Sequence, residues 1–427
     1  MKRLLGLLVA LSAFAHSPDA SAFPAFARKY GLRCTACHEA WPALNDFGRA
    51  FRDQGYQLGV GKDEPTTAEP GYFPISVRIT PHYEYNLQSS QTTDQGKKTL
   101  GSGGVATIGI DLLTGGTLGK DVSFLVVPTG FTSSDSVSLE SAWVRFDNIL
   151  GSSWANLKLG RHEVDLPRSS HRPWNLSSTG YLIYGFHPPG SASVYDIGEN
   201  QRGVEWVGHD RGSMNRIAVS VFSVEGSPGS ANALDTPGAY FHATHERQFE
   251  SGFVSALRVG VFAADATWPA AFLTLAGEPI AGTGSALKHT TRAGGEAHLW
   301  LGPASTPFHL IVAAAHGQDD AALFTGAARD GTFDGGFLEV AWTPDLKATA
   351  FGRMDLVKNS RQPLAASPRD LGDESALTGG LRYTIAYSNR DEYAVHAECS
   401  RLSVRRGADD GSDLVTTTLF LGVDFAY

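Results

Sequence analysis

From residue 73 onward, apolar and polar residues alternate with a period of two over successive short segments. In residues 75–87, one face carries Ile, Val, Tyr and Leu side chains, and the other carries Ser, Arg, Thr, His and Glu. The same alternation recurs in residues 213–225, 346–358 and 375–387. Because successive side chains of a strand point to opposite faces, this pattern predicts β-strands with one apolar and one polar face.

The pattern predicts 16 antiparallel strands, at 75–87, 104–114, 120–128, 137–148, 153–163, 201–209, 213–225, 237–249, 252–264, 290–302, 305–316, 332–343, 346–358, 376–388, 390–404 and 413–426. Alternation alone also fits a soluble β-sandwich in which one face of each sheet is exposed to solvent. The connections, however, alternate between tight turns, such as 210–212, and long loops, such as 88–103 and 164–200. Short turns at one end and long loops at the other are typical of outer-membrane barrels. We therefore predict an all-β, 16-stranded outer-membrane β-barrel over residues 73–427.

The final segment supports this prediction. Every second residue from Val415 to Tyr427 is apolar or Thr, and the sequence ends on the aromatic residue. Outer-membrane barrels commonly end in this way. Pairing of the last strand with the first would leave no exposed edge in lipid.

The first residues have the features of a secretion signal. Lys2 and Arg3 precede a short apolar stretch, and Ala20-Ser21-Ala22 has the small-x-small pattern of a cleavage site. The apolar stretch is too short for a transmembrane helix. We expect residues 1–22 to be a signal peptide cleaved near Ala22, and the protein to reach the outer membrane of a Gram-negative bacterium.

Charge and cysteine content narrow the function classes. The formal net charge of −9 argues against a nucleic-acid partner. Three cysteines are too few for a disulfide framework in a chain of 427 residues. We interpret Cys399 as a small apolar residue on a strand. The other two lie together near the N-terminus.

Those two form the run Cys34-Thr35-Ala36-Cys37-His38. This spacing places both thiols on one face of a helical turn, where they can add to the vinyl groups of haem, while His38 ligates the iron. A zinc site would need two further ligands nearby, and no Cys or His follows His38 until His82. A redox dithiol would normally lie in a βαβ pattern, which is absent. We predict one covalently bound c-type haem, with thioethers at Cys34 and Cys37 and His38 as an axial ligand.

A short amphipathic helix is predicted after the motif, because Leu44, Phe47 and Phe51 follow helical spacing and Gly55 can end the helix. Trp41, Phe47, Phe51 and Tyr56 are candidates to cover the porphyrin, and ordinary packing of a small core explains them equally well. Residues 23–72 are too few to form a stable domain without a covalent or cofactor cross-link or a partner surface. We expect this segment to fold back into the barrel as a haem plug.

Several runs resemble the fused monohaem cytochrome–porin family, whose best-known members are outer-membrane iron oxidases. They are Phe26-Ala27-Arg28-Lys29-Tyr30-Gly31 before the haem motif, Pro42-Ala43-Leu44-Asn45-x-Phe47-Gly48 after it, and Gly160-Arg161-His162-Glu163-Val164-Asp165-Leu166-Pro167 in the barrel. The resemblance implies that electrons pass from extracellular Fe(II) through the haem to a periplasmic electron carrier. Only the roles of Cys34, Cys37 and His38 transfer residue by residue.

Three functions remain open from the sequence. The first is electron transfer across the outer membrane, with Fe(II) as the expected donor. The second is a solute or ion porin whose haem segment is a structural or regulatory plug. The third is a periplasmic cytochrome anchored by its barrel. The direction of electron flow is also open, because axial ligation and burial set the potential.

The second axial ligand is not determined by the sequence. His82, His298 and His396 are candidates on the polar faces of their strands, as is an open or water-ligated iron, whereas Met354 should face lipid. Arg78, His82, Glu84, Arg353 and Arg382 are predicted to point inward, towards the plug. The acidic pairs Asp319-Asp320, Asp373-Glu374 and Asp409-Asp410 are predicted in extracellular loops, as solvated charge or as a weak attraction for Fe(II).

Overall fold

The computed structural model describes residues 25–32, 34–40, 43–59, 65, 75–93, 96–130, 137–171, 173–177, 179–191, 193, 195–224, 236–269, 274–275, 278–279, 287–303, 307–324, 329–344, 347–361, 372–387, 392–405 and 413–426. Within these ranges no helix is long and apolar enough to cross a membrane.

The described N-terminal residues form three helices and a small ribbon. Helix α1 covers Ala25–Tyr30, α2 is the single turn Cys34–Cys37, and α3 covers Asp46–Asp53. Between α2 and α3, His38–Ala40 pairs antiparallel with Ala43–Leu44. The predicted amphipathic helix is thus present as α3.

Sixteen strands form one closed antiparallel barrel. They are β1 Ile75–Thr93, β2 Gly96–Gly119, β3 Val122–Gly130, β4 Ser138–Phe146, β5 Asn156–His162, β6 Gln201–His209, β7 Asn215–Val224, β8 Thr236–Gln248, β9 Val254–Pro269, β10 Leu287–Leu301, β11 Phe308–Asp319, β12 Gly331–Trp342, β13 Ala348–Asn359, β14 Glu374–Tyr387, β15 Glu392–Val404 and β16 Leu414–Ala426. The last strand pairs with the first, with Leu421 opposite Tyr83, which closes the ring. The strand count, the antiparallel order and the closure confirm the prediction.

The two faces of the wall differ in polarity, as the alternation predicts. His82, Arg353 and Arg382 are buried inside the barrel. Met354 and Leu421 belong to a large set of apolar side chains exposed on the outer face. An apolar exterior around a closed ring is the arrangement required by lipid, because every backbone N–H and C=O of a strand finds a partner within the wall.

Several predicted boundaries are wrong at the long-loop end. Residues 88–103 are not a loop, because β1 continues to Thr93 and β2 begins at Gly96. Asp319 ends β11, fully buried, and forms an ion pair with Arg292 at 2.9 Å, so it is not a solvated loop charge. Glu374 likewise begins β14 and is buried. Asp409 and Asp410 lie outside the described residues.

The long connection between β5 and β6 turns into the lumen and builds a core there. Its helix α4, Leu182–Gly185, carries Ile183 and Tyr184 against the wall, and both are almost fully buried. Val164, Tyr181, Phe186 and other apolar residues of this connection form one cluster with inward side chains of the strands β7, β8, β9, β11, β12 and β13. We call residues 163–200 the inner loop. Strand alternation does not indicate its inward course, since its described residues contain no strand.

Candidate functional site

The Cys-x-x-Cys-His run forms the helical turn that its spacing predicts, since Cys34–Cys37 is α2 and His38 begins the ribbon. Cys37 is half-buried and free of any disulfide. Burial raises the pKa of its thiol to about 11. The side chain of Cys34 lies outside the described part of the chain.

Helix α3 holds this turn by its backbone. Asn45 is the N-cap of α3, and its side-chain oxygen accepts from the Gly48 amide at 2.8 Å. The Asn45 amide donates to the Cys37 carbonyl, and its side-chain nitrogen donates to the Ala36 carbonyl, each at 3.0 Å. At Gly48, a Cβ atom would lie 2.1 Å from the Cys37 oxygen. The Asn-x-Phe-Gly part of the motif therefore fixes α2 against α3.

The aromatic residues after the motif have separate positions. Phe51 is buried, and its ring meets those of Phe26, Tyr30 and Tyr56. Phe47 is 43% exposed, and its ring stacks on that of Phe51 with the centroids 6.1 Å apart. Trp41 lies outside the described residues.

A first group of charges joins α3 to the wall near the short turns of the barrel. Arg49 contacts the Glu246 carboxylate of β8 at 3.0 Å, and Arg258 of β9 contacts the same carboxylate at 2.6 Å. Both guanidinium groups also stack over the ring of Trp300 in β10. Glu246 is nearly buried, so its charge is balanced by the two arginines rather than by water.

A second group joins α3 to the inner loop as well as to the wall. Arg216 of β7 donates to Asp53 at 2.6 Å and to Asp165 of the inner loop at 3.0 Å. Arg145 of β4 donates to the carbonyls of Arg52 and Asp53 at the end of α3. Burial raises the Asp53 pKa, but the charges of Arg216 and Arg52 outweigh that effect and the net pKa is lowered.

A cavity of about 400 Å³ lies between the N-terminal segment, the inner loop and the wall. Leu44, the ribbon partner of His38, lines it together with Arg49 and Arg52. Trp174 contributes from the inner loop, and Trp300 from the wall. Five histidines line the same cavity, namely His162, His171, His242, His298 and His309.

The three predicted candidates for a second axial ligand are not together. His298 lines the cavity, with its Nε2 atom 3.0 Å from Nδ1 of His309. His82 is not among the lining residues, and its ring stacks on Phe420. His396 is also absent from the lining and lies beside Glu398.

The inward arginines contact either the inner loop or a shared carboxylate of the wall. This corrects the expectation that they face the plug. Arg353 donates to the side-chain oxygen of Asn175 and to the carbonyls of Thr179 and Gly180. Arg78 and Arg382 both pair with one carboxylate, that of Asp424. In the described residues, the wall charges that meet the N-terminal segment include Arg145, Arg216, Glu246 and Arg258.

These residues fit a covalently attached haem. The turn presents the required order of two cysteines and a histidine, and α3 fixes its backbone. The neighbouring cavity is lined by apolar and aromatic side chains and by arginines, the chemistry that suits a porphyrin ring and its propionates. In the described ranges, no group of three or more His, Cys, Asp and Glu side chains is arranged to bind a separate metal ion.

Sequence reasoning missed the residues that join the parts. Arg216, Glu246 and Arg258 each occupy an inward position of an alternating strand, and that position was the available signal. Alternation reports which way a side chain points but not which partner it meets. The partners are separated by long stretches of chain, such as 197 residues between Arg49 and Glu246.

A closed 16-stranded antiparallel ring with an apolar outer face defines an outer-membrane β-barrel of the porin type. No protein-family model matches the sequence, and no curated protein sequence matches it. Among solved structures, the chain is similar to an anion-selective porin from Comamonas acidovorans, with 12% identity and a TM-score of 0.51, over 83% of this chain and 98% of that one. It is also similar to OprB of Pseudomonas putida, with 12% identity and a TM-score of 0.52, over 92% of this chain and all of that one. At these identities the similarity concerns the fold alone.

Proposed function

We propose that this protein is an outer-membrane monohaem cytochrome–porin that transfers electrons across the outer membrane. In this proposal extracellular Fe(II) is the donor, and a periplasmic electron carrier is the acceptor. The observation that carries the proposal is the Cys34–His38 turn, which α3 ties to the inner wall of the barrel through Arg49 and Asp53. A haem held there supplies one iron that can gain or lose an electron.

The dimensions of the membrane favour this arrangement. The apolar band of an outer-membrane barrel is about 25 Å tall, so a single haem outside the barrel would lie far from a donor on the opposite side. In the proposal the haem lies within the barrel, because α3, which holds the turn, is attached to inward-facing side chains of the wall. In the proposal, arginines that line the cavity would pair with the propionates, and its apolar and aromatic side chains would surround the porphyrin.

The barrel fold itself favours a second candidate, a solute or ion channel in which the haem segment is a structural or regulatory plug. Its support is the similarity to porins. The two candidates differ in what the purified protein does: the first accepts electrons from Fe(II), and the second conducts ions.

Full-length protein in detergent, with its haem content measured by the pyridine haemochrome spectrum, separates them. When Fe(II) is added at low micromolar concentration, the absorbance bands of reduced haem should appear rapidly. A chain without covalent haem would contradict the proposal. Loaded protein that is not reduced and conducts ions in planar bilayers would favour the channel.

The variant His38→Ala tests the assignment of the axial ligand. We expect it to lose the response to Fe(II) while the barrel still shifts its mobility on heating in gel electrophoresis, because Arg49 and Asp53 of α3 contact the wall and are unchanged in this variant. Loss of the folded barrel would show instead that the haem site is needed for folding.

A further inference from the structure

One histidine of the cavity wall has an imidazole nitrogen with no hydrogen-bond partner. His162 ends β5 and is 2% exposed. Its Nδ1 atom lies 3.2 Å from the carbonyl oxygen of Gly160. A carbonyl oxygen only accepts, so Nδ1 carries the proton and Nε2 keeps its lone pair. In the part of the chain that the structure describes, the buried Nε2 atom has no hydrogen-bond partner.

The backbone around His162 is built to hold this tautomer. Gly160 has φ +134°, and a Cβ atom there would lie 2.2 Å from the Ala142 carbonyl of the adjacent strand. Only glycine allows this close approach of β4 and β5. The Gly160 carbonyl is thereby set opposite Nδ1. The close approach of the strands and this contact explain why Gly160 and His162 stand two residues apart in the Gly-Arg-His run.

Of the other four histidines of the cavity, His171 and His309 have further interactions of their own, and His242 and His298 use ring nitrogens in buried contacts. His242 uses Nδ1 with Asp165 at 3.1 Å and Nε2 with Glu296 at 3.2 Å. His298 uses Nε2 with His309 at 3.0 Å. Binding a further ligand through these nitrogens would break a buried contact, whereas Nε2 of His162 has none to lose.

We propose that Nε2 of His162 is the second axial ligand of the haem iron, supplied by the barrel wall to the haem attached at Cys34 and Cys37. The inference rests on the proposed haem function. An imidazole whose Nδ1–H donates to a carbonyl has a fixed ring orientation and a more basic Nε2 atom, which is the usual state of a metal-ligating histidine. His162 lines the same cavity as Leu44, whose ribbon partner is His38. Coordination forms one bond from the Nε2 lone pair to iron and moves no proton or electron.

The test uses the full-length, haem-loaded protein in detergent. Wild-type ferric protein should give the electron paramagnetic resonance spectrum of low-spin haem with two histidine ligands. His162→Gly should become high-spin, should bind CO readily when reduced, and should return to low spin with added imidazole. His162→Met should stay low-spin with a higher reduction potential, because a thioether replaces an imidazole.

His209→Gln is the matched control. His209 is also buried at a strand end, with Nδ1 2.7 Å from a backbone carbonyl and Nε2 buried without a hydrogen-bond partner in the described residues, but it is not among the residues lining the cavity. We expect its spectrum to match the wild type. The proposal would be overturned if the His162 variants gave wild-type spectra. It would also be overturned if the iron of the wild-type protein were high-spin or methionine-ligated, and that result does not depend on whether any variant folds. A chain without covalent haem would instead defeat the proposed function.

Discussion

At the scale of single residues, Gly48 matters because it has no side chain. This allows α3 to lie close to the backbone of Cys37. In the proposed function the cysteines and the histidine of the Cys34–His38 turn would hold the haem, and Gly48 and Asn45 set where that turn lies. Asn45 holds the carbonyls of Ala36 and Cys37 while capping α3, so one side chain begins a helix and orients its neighbour. A cap of this kind contributes about 1 kcal/mol to helix stability.

Gly48→Ala should lower the amount of covalent haem per barrel several-fold. The new Cβ atom would lie 2.1 Å from the Cys37 oxygen, so α2 must move away from α3. The ratio of haem stain to barrel protein on gels measures the effect. Gly104→Ala in β2 is the control, because no atom lies within 4 Å of its added Cβ. Equal haem ratios in both variants would show that this contact does not position the turn.

At the scale of elements, α3 is attached to the wall by paired charges, so its attachment should depend on pH. The pKa of Asp53 is lowered in the folded protein, because Arg216 and Arg52 outweigh the effect of burial. A carboxyl of this kind stabilises the attached state at pH values above its ordinary pKa, about 3.9. That stabilisation is lost as the pH falls through the lowered value. The contribution of Asp53 to the attachment is therefore constant near neutral pH and is lost in acid.

Hydrogen–deuterium exchange of residues 43–59, corrected for intrinsic rates, measures this attachment. We expect strong protection at neutral pH and faster exchange as the solution becomes more acid than about pH 4. Asp53→Asn should exchange faster already at pH 7, because Arg216 loses one of its two carboxylate partners. Glu250→Gln, at an exposed position of a short turn, is the control. Unchanged protection in Asp53→Asn would show that the ion pair between Asp53 and Arg216 does not hold α3 to the wall.

The inner loop depends on a different set of buried charges. Glu339 of β12 forms an ion pair with Arg168 at 3.0 Å and accepts a hydrogen bond from Tyr181 at 2.7 Å. Arg353 and Glu398 hold further backbone groups of the loop, including the Leu176 and Ser177 amides. Together these contacts fix an irregular segment whose backbone groups would otherwise lack partners inside the lumen.

Glu339→Leu should loosen the inner loop and raise ion conductance in planar bilayers. Removing one partner of a buried ion pair costs about 3–5 kcal/mol, since the other charge is left without compensation. Asp334→Asn on the same strand is the control, because its pair with His316 is exposed to solvent and contributes little. If both variants conduct like the wild type, the Glu339 contacts do not govern passage through the lumen.

At the scale of the whole molecule, the barrel encloses two inserts that share contacts. Arg216 pairs with Asp53 of the N-terminal segment and with Asp165 of the inner loop, while Ala43 clusters with Trp174. The wall is therefore a common support for both inserts. The cavity between them is lined jointly by residues of the N-terminal segment, the inner loop and the wall, histidines included.

The sequence by itself determined the strand count, the alternating faces and the antiparallel order, because these depend on a period of two and on turn length. It also determined the helical Cys-x-x-Cys turn, which depends on local spacing. Only the tertiary structure decided that the inner loop packs inside, that Arg353 holds it, and that His162 lines the cavity. Those outcomes depend on contacts between residues far apart in the chain, and local periodicity carries no information about which distant side chains meet.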